Sequence, residues 1–142
     1  MDLTPAERDA FLAEPHVAVL TIAARNRPPL TVPVFYAYRD GLISFFTGTQ
    51  GRSARKTRLL ADTGAFSLCV QRAEPPYAYV TAECTVVRTE GPPAVEDVVA
   101  VAARYMPEDD AREFAEAEIA HPAGTFVLFT GRPDRWLTSL AG

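Results

Sequence analysis

The chain has 142 residues, 48% of them hydrophobic and 23% charged, with a formal net charge of −4. That length fits one domain over residues 1–142 with a real core, and the composition is ordinary for a globular protein. The acidic balance argues against nucleic acid, which selects a broad basic surface, and no apolar run approaches the roughly 20 residues of a membrane span.

The opening MDLTPAERDAFL carries early acid and no apolar h-region. No signal peptide and no membrane partner are expected, and the expected setting is cytoplasmic. Thr4, Pro5 and Glu7 form a capping-box pattern that starts a short helix over about 5–13. HVAVLTIAA (16–24) is β-branched and apolar, hence a strand. After the turn Arg25-Asn26-Arg27-Pro28 comes a second strand, LTVPVFYAY (30–38). Pro33 inside it demands an edge, a bulge or a carbonyl-only position. Asp40-Gly41 is hairpin-turn chemistry before a third strand, LISFFTGT (42–49).

Residues 52–61 switch to helical character. FSLCVQ (66–71) and YAYVTAECTVVRTE (77–90) return to strand across a Pro75-Pro76 turn. Residues 94–105 and 108–120 read as helices, with Val98, Val101, Ala102 and Tyr105 at helical spacing. GTFVLFTG (124–131) is the last strand, and RPDRWLTSLAG reads as a closing tail. Short turns between strands give an antiparallel sheet. The expected fold is mainly β within an α+β class: an antiparallel split barrel of about six strands with short flanking helices.

Chemistry-bearing residues are few. Cys69 and Cys84 lack a metal-ligand set and read as reduced core thiols. His16 and His121 lie far apart in sequence and read as surface or helix-end residues. No metal-ligand spacing is present. Tyr77 and Tyr79 share one strand face, and Trp136 reads as a cap on the barrel or on a subunit seam.

The exception is GRSARKTRLL (51–60). Arg52, Arg55, Lys56 and Arg58 put four cations into seven positions, and Lys56 is the one lysine among 14 basic residues. The cluster follows a strand and a glycine-bearing turn and opens a helix, whose free N–H groups and partial positive charge suit an anion. Arg52, Arg55 and Lys56 fall on one helical face by spacing. Cations there oppose the helix dipole, so either they form a solvated face paired with surface acids or they hold an anionic group such as a phosphate. Ser53, Thr47 and Thr49 are neutral donors nearby.

Taken together, FLAEPHVAVLTIA, PLTVPVFYAYRDG, FTGTQGRSARKTRLLADTGAFSLCV, EPPYAYVTAEC and RPDRWL resemble, in order and spacing, the pyridoxamine 5′-phosphate oxidase-like FMN-binding split-barrel family. The similarity is greatest to its small actinobacterial-type members that use FMN or the deazaflavin coenzyme F-420. The resemblance implies that Arg55-Lys56 binds the cofactor phosphate, with Thr47, Thr49 and Ser53 as neighbours. It implies that Val32-Pro33-Val34 lies along the ring. It also implies a homodimer with cofactor sites at the interface and hydride transfer to or from a small organic substrate. A non-catalytic FMN or F-420 carrier and a vestigial site are the alternatives. The acidic tail of F-420 tilts the choice of cofactor slightly towards it, with Arg52 and Arg58 free to meet that tail. Departures from the family pattern at Cys84, Asp62-Thr63-Gly64 and Thr138-Ser139-Leu140 bear on contacts near the ring.

Overall fold

The computed structural model describes residues 1–48 and 53–141, and of Ser53 and Ala54 it describes the backbone only. Thr49 and Arg52 lie outside the described residues. In chain order the elements are α1 (Pro5–Ala13), β1 (Ala18–Ile22), β2 (Leu30–Val34), β3 (Tyr36–Arg39), β4 (Leu42–Phe46), α2 (Ser53–Thr63), β5 (Ala65–Arg72), β6 (Tyr77–Glu90), α3 (Val95–Ala102), α4 (Glu108–Ile119) and β7 (Leu128–Ala141). The seven strands form one antiparallel sheet in the order β2-β1-β5-β6-β7-β4-β3.

That order dictates the curl. The two edge strands, β2 and β3, are consecutive in sequence and only Phe35 separates them. Successive Cα atoms are 3.80 Å apart, so the two edges approach within about 7 Å at this corner. A sheet whose edges share a corner must roll into a barrel. It is split because β2 and β3 pair with β1 and β4 respectively and not with each other.

Local chemistry explains most of the elements. The Thr4–Glu7 capping box is formed in both directions at the start of α1. Asp40 and Gly41 both have positive φ, 54° and 76°, which gives the β3–β4 hairpin its two-residue turn. Pro33 falls on β2, an edge strand, where a missing N–H is tolerated.

Three expectations need correction. The strand expected over 30–38 is two strands, broken at the Phe35 corner, which brings the expected split barrel of about six strands to seven. The tail is not a tail: β7 continues to Ala141 and pairs with β6 along its length. Pro133 is accommodated because β4 stops pairing at Gly131 and Asp134 is bulged out, with Cys84 opposite Pro133 and Glu83 opposite Arg135. Cys69 is not a core thiol. It lies half-buried on the outer face of β5, whereas Cys84 is buried and desolvation pushes its thiol up to about 12.

Inward-facing residues fill the barrel, among them Leu20, Ile22, Tyr36, Ile43, Phe45, Phe66, Leu68, Val70, Val80 and Phe129. Gly131 is required by that packing, since a Cβ there would lie 2.4 Å from the Phe66 ring. A second cluster (Val98, Val99, Ala102, Ala111, Ala115 and Phe126) holds α3 and α4 together beside the barrel. Trp136 packs into the main core, edge-on to Tyr38, with the Arg8 guanidinium 4.2 Å from its ring. His121 accepts a hydrogen bond from the Ala123 N–H at 3.1 Å and so closes the turn after α4.

Candidate functional site

The Phe35 corner is fixed from three directions. The Tyr36 side chain is fully buried, and its hydroxyl donates to the Leu12 carbonyl at 2.8 Å, at the end of α1. Burial pushes that hydroxyl up to about 12 against the opposing effect of Arg104, so it stays a neutral donor. Arg104, just past α3, donates to the carbonyls of Leu12 at 2.9 Å, Glu14 at 2.8 Å and Tyr36. Its guanidinium also stands 4.5 Å from the Tyr36 ring centre. The Tyr105 hydroxyl accepts from the Tyr36 N–H at 3.2 Å and donates to the His16 carbonyl at 2.8 Å. Phe35 stacks on the Tyr105 ring, 4.1 Å between centres and 8° from parallel. Neither Arg104 nor Tyr105 stands out in the sequence as functional, because their partners are backbone carbonyls 68 to 92 residues away.

The corner forms one wall of an open cleft of about 420 Å³. Val17 and the run Pro33, Val34 and Phe35 line one side, Phe46 and Gly48 at the end of β4 another, and Lys56 reaches in from α2. Among the described residues Lys56 is the one ionisable group on these walls. Leu60, one helical turn on, is buried in the main core. That anchor turns the Lys56 side of the helix inward, and burial lowers the ammonium below the ordinary lysine value.

Of the other expected site residues, Val34 and Pro33 line this cleft, and Val32 packs against the main core. Thr47 is fully buried. Its hydroxyl accepts from the Val127 N–H at 3.2 Å and lies 3.3 Å from the Thr125 carbonyl, fastening the end of β4 to residues 125–127. Arg55 is not on the Lys56 wall. It lines a separate cleft with Arg58, and the shared helical face read from the spacing is therefore divided. Spacing alone does not reveal this, because Leu59 follows Arg55 and Leu60 follows Lys56 at the same i, i+4 interval, and only the structure shows Leu60 as the buried one. Val17, Phe35 and Phe46 were not singled out as site residues by sequence, since each reads as an ordinary apolar strand position. No group of three metal-ligating side chains occurs among the described residues, and no helix there is long and apolar enough to cross a membrane.

Comparison with known proteins places this architecture. No family model matches the chain, and no curated protein matches it. Solved structures do. An F-420 reductase superposes with a TM-score of 0.64 at 18% identity, covering 91% of this chain and 94% of that one. A FAD-binding protein from Mesorhizobium loti gives 0.66 at 18%, covering 100% and 98%. HutZ, the heme storage protein from Vibrio cholerae, gives 0.68 at 15%, covering 100% and 96%. The fold is the split barrel of pyridoxamine 5′-phosphate oxidase-like proteins.

The corner generates a test. Arg104→Leu removes a charged donor from three carbonyls, and urea melts are expected to show a loss of about 2–3 kcal/mol. Arg135→Leu, at an exposed position, is expected to change stability by less than about 0.5 kcal/mol.

Proposed function

We propose that the chain is a redox protein that binds a phosphate-bearing flavin or deazaflavin in the Lys56 cleft. The single observation that carries the reading is the pairing of a half-buried lysine with an otherwise apolar cleft along a sheet edge. Such a cleft fits a flat ring with one anionic arm. The ring would lie against Pro33, Val34 and Phe35, and the ammonium of Lys56 would meet the phosphate beside the start of α2. Ser53 and Thr49 are proposed as further donors there, and Arg55 would flank the phosphate from the neighbouring cleft. Thr47 would act by holding the end of β4, and Val32 by fixing the β2 backbone. As an edge strand, β2 offers backbone groups to the ring rim, with Pro33 supplying a carbonyl only.

When bound, a flavin or deazaflavin supplies the redox chemistry, giving or taking a hydride at its ring. The protein contributes charge, orientation and exclusion of water. Lys56 neutralises the phosphate, the Phe35–Tyr105 stack holds the wall flat, and Val17 and Phe46 shield the cleft. We favour F-420 over FMN, because Arg58, beyond the cations assigned to the phosphate, offers a charge that a ligand with a single phosphate leaves unused. A small organic substrate would react on the open face. The second reading is a non-catalytic carrier, which would use the same cleft and the same Lys56 contact without turnover. Turnover with an electron acceptor separates the two.

The proposed assembly is a homodimer. Val19, Cys69, Thr81 and Leu137 lie in register across the outer faces of β1, β5, β6 and β7. Pro33 extends the row to β2 and also lines the cleft. Val19 is 38% exposed, Leu137 41% and the nearby Tyr77 53%. A largely apolar row of this kind, broken by Thr81, suits a partner surface, and a second copy covering it would roof the Pro33 end of the cleft. Sedimentation velocity is expected to show a particle of two 15.5 kDa chains that Leu137→Glu converts to one. A wild-type monomer contradicts the assembly.

The function is tested by titrating FMN and F-420 separately into the wild type and the Arg55→Ala/Lys56→Ala variant, following ring fluorescence. Wild type is expected to bind at least one of the two, and the variant at least about tenfold more weakly, or about 1.4 kcal/mol. The ammonium form of Lys56 makes the contact, so affinity holds at neutral pH. It falls as pH rises through the folded pKa of Lys56, which burial sets below the ordinary value near 10.4. Binding of neither cofactor overturns the proposal.

A further inference from the structure

The cations of this chain are paired unevenly. Arg8, Arg72, Arg88, Arg112 and Arg132 each stand in an ion pair, and Arg104 spends its donors on backbone carbonyls. Arg25, Arg27, Arg39, Arg55, Arg58 and Arg135 have no ion pair among the described residues, and four of these six, Arg25, Arg27, Arg55 and Arg58, line one open cleft of about 550 Å³. Arg25 and Arg27 come from the turn between β1 and β2, where Asn26 takes a left-handed φ of 58°. Arg55 and Arg58 come from one face of α2. A single carboxylate, Asp62, stands among them, and small residues, Ala24 and Ala61, leave the space between open. Among the described residues this cleft shares no lining residue with the Lys56 cleft.

Four guanidiniums facing one carboxylate repel each other in an otherwise acidic protein. Solvent and salt screen much of that repulsion, since Arg25, Arg27 and Arg58 are exposed. A singly charged ion would satisfy one guanidinium. Arginine's planar fork suits bidentate contact with phosphate or carboxylate oxygens, and two separate elements supplying the forks suit an anion with several charged groups.

We infer that the arginine cleft is a polyanion site, distinct from the Lys56 cleft, that takes a ligand bearing clustered phosphate or carboxylate groups. Two sources share that chemistry: an anionic extension of a molecule held in the Lys56 cleft, or a separate polyanionic metabolite. The inference does not depend on a flavin binding at Lys56.

Calorimetric titration of the full chain with inorganic tripolyphosphate, in about 0.15 M salt, tests it. Binding is expected in the wild type, weakened at least tenfold in Arg25→Gln/Arg27→Gln and in Arg58→Gln. It is expected to change less than twofold in Lys56→Ala and in Arg135→Gln, an exposed arginine outside the cleft. Circular dichroism of each variant checks that it is folded. Competition identifies the source. Tripolyphosphate displaced by F-420 but not by FMN supports an extension of one ligand. Tripolyphosphate displaced by neither supports a separate metabolite. No binding, equal weakening in Arg135→Gln, or displacement by FMN as complete as by F-420 overturns the inference, the last because the site would then not extend beyond the shared Arg55. Loss of cofactor binding in Lys56→Ala with tripolyphosphate binding retained separates the two proposals.

Discussion

The barrel closes through one residue. Phe35 joins the two edges of a seven-stranded sheet, and that corner has no strand ladder across it to hold it shut. The closure is held instead by hydrogen bonds to carbonyls. Leu12 and Glu14 at the end of α1, His16 before β1 and Tyr36 at the corner itself all receive donors from Tyr36, Arg104 or Tyr105. Buried carbonyls without donors are costly, so these contacts make α3 part of the barrel's closure and not a mere appendage. The same corner carries Val34 and Phe35 into the cleft wall. Fold closure and site geometry therefore share one set of interactions.

Helix α2 applies a second constraint. Leu60 is buried in the main core, and this sets the rotation of the helix. Once that rotation is fixed, Lys56 is drawn into an apolar cleft and Arg55 and Arg58 are turned into another. A cation held partly out of water is raised in energy unless an anion compensates it, and the lowered Lys56 pKa expresses that cost.

Much of this architecture was legible in the sequence, because local chemistry is strong where it was read. The Thr4 capping box, the Asp40-Gly41 turn and the alternation of β6 depend on neighbouring residues and came out as expected. Misreadings arose where distant partners decide. Pro33 marks an irregular strand but not its division, since the break at Phe35 comes from Val34 pairing towards β1 and Tyr36 pairing towards β4. The stretch from Arg132 reads as a closing tail, and only the local bulge at Asp134 and the end of β4 pairing make room for Pro133 within a strand. In the candidate site, the cation cluster was visible as composition. Its division into two clefts was not, because helical spacing alone does not say which face a core residue such as Leu60 will anchor. Arg25 and Arg27 read as turn residues, and their convergence with α2 is a tertiary fact.

The most direct measurement takes whichever of FMN and F-420 binds and compares it with the same ring compound lacking the phosphate, riboflavin for FMN or the dephosphorylated deazaflavin for F-420, on wild type and on Lys56→Ala. If Lys56 reads a phosphate in an apolar ring cleft, the phosphorylated ligand binds the wild type at least about tenfold more tightly than its phosphate-free counterpart, and the substitution erases that difference while the counterpart's affinity stays nearly the same. Equal affinity for the two members of the pair in the wild type, or a preference for the phosphorylated one that survives loss of Lys56, would contradict the account.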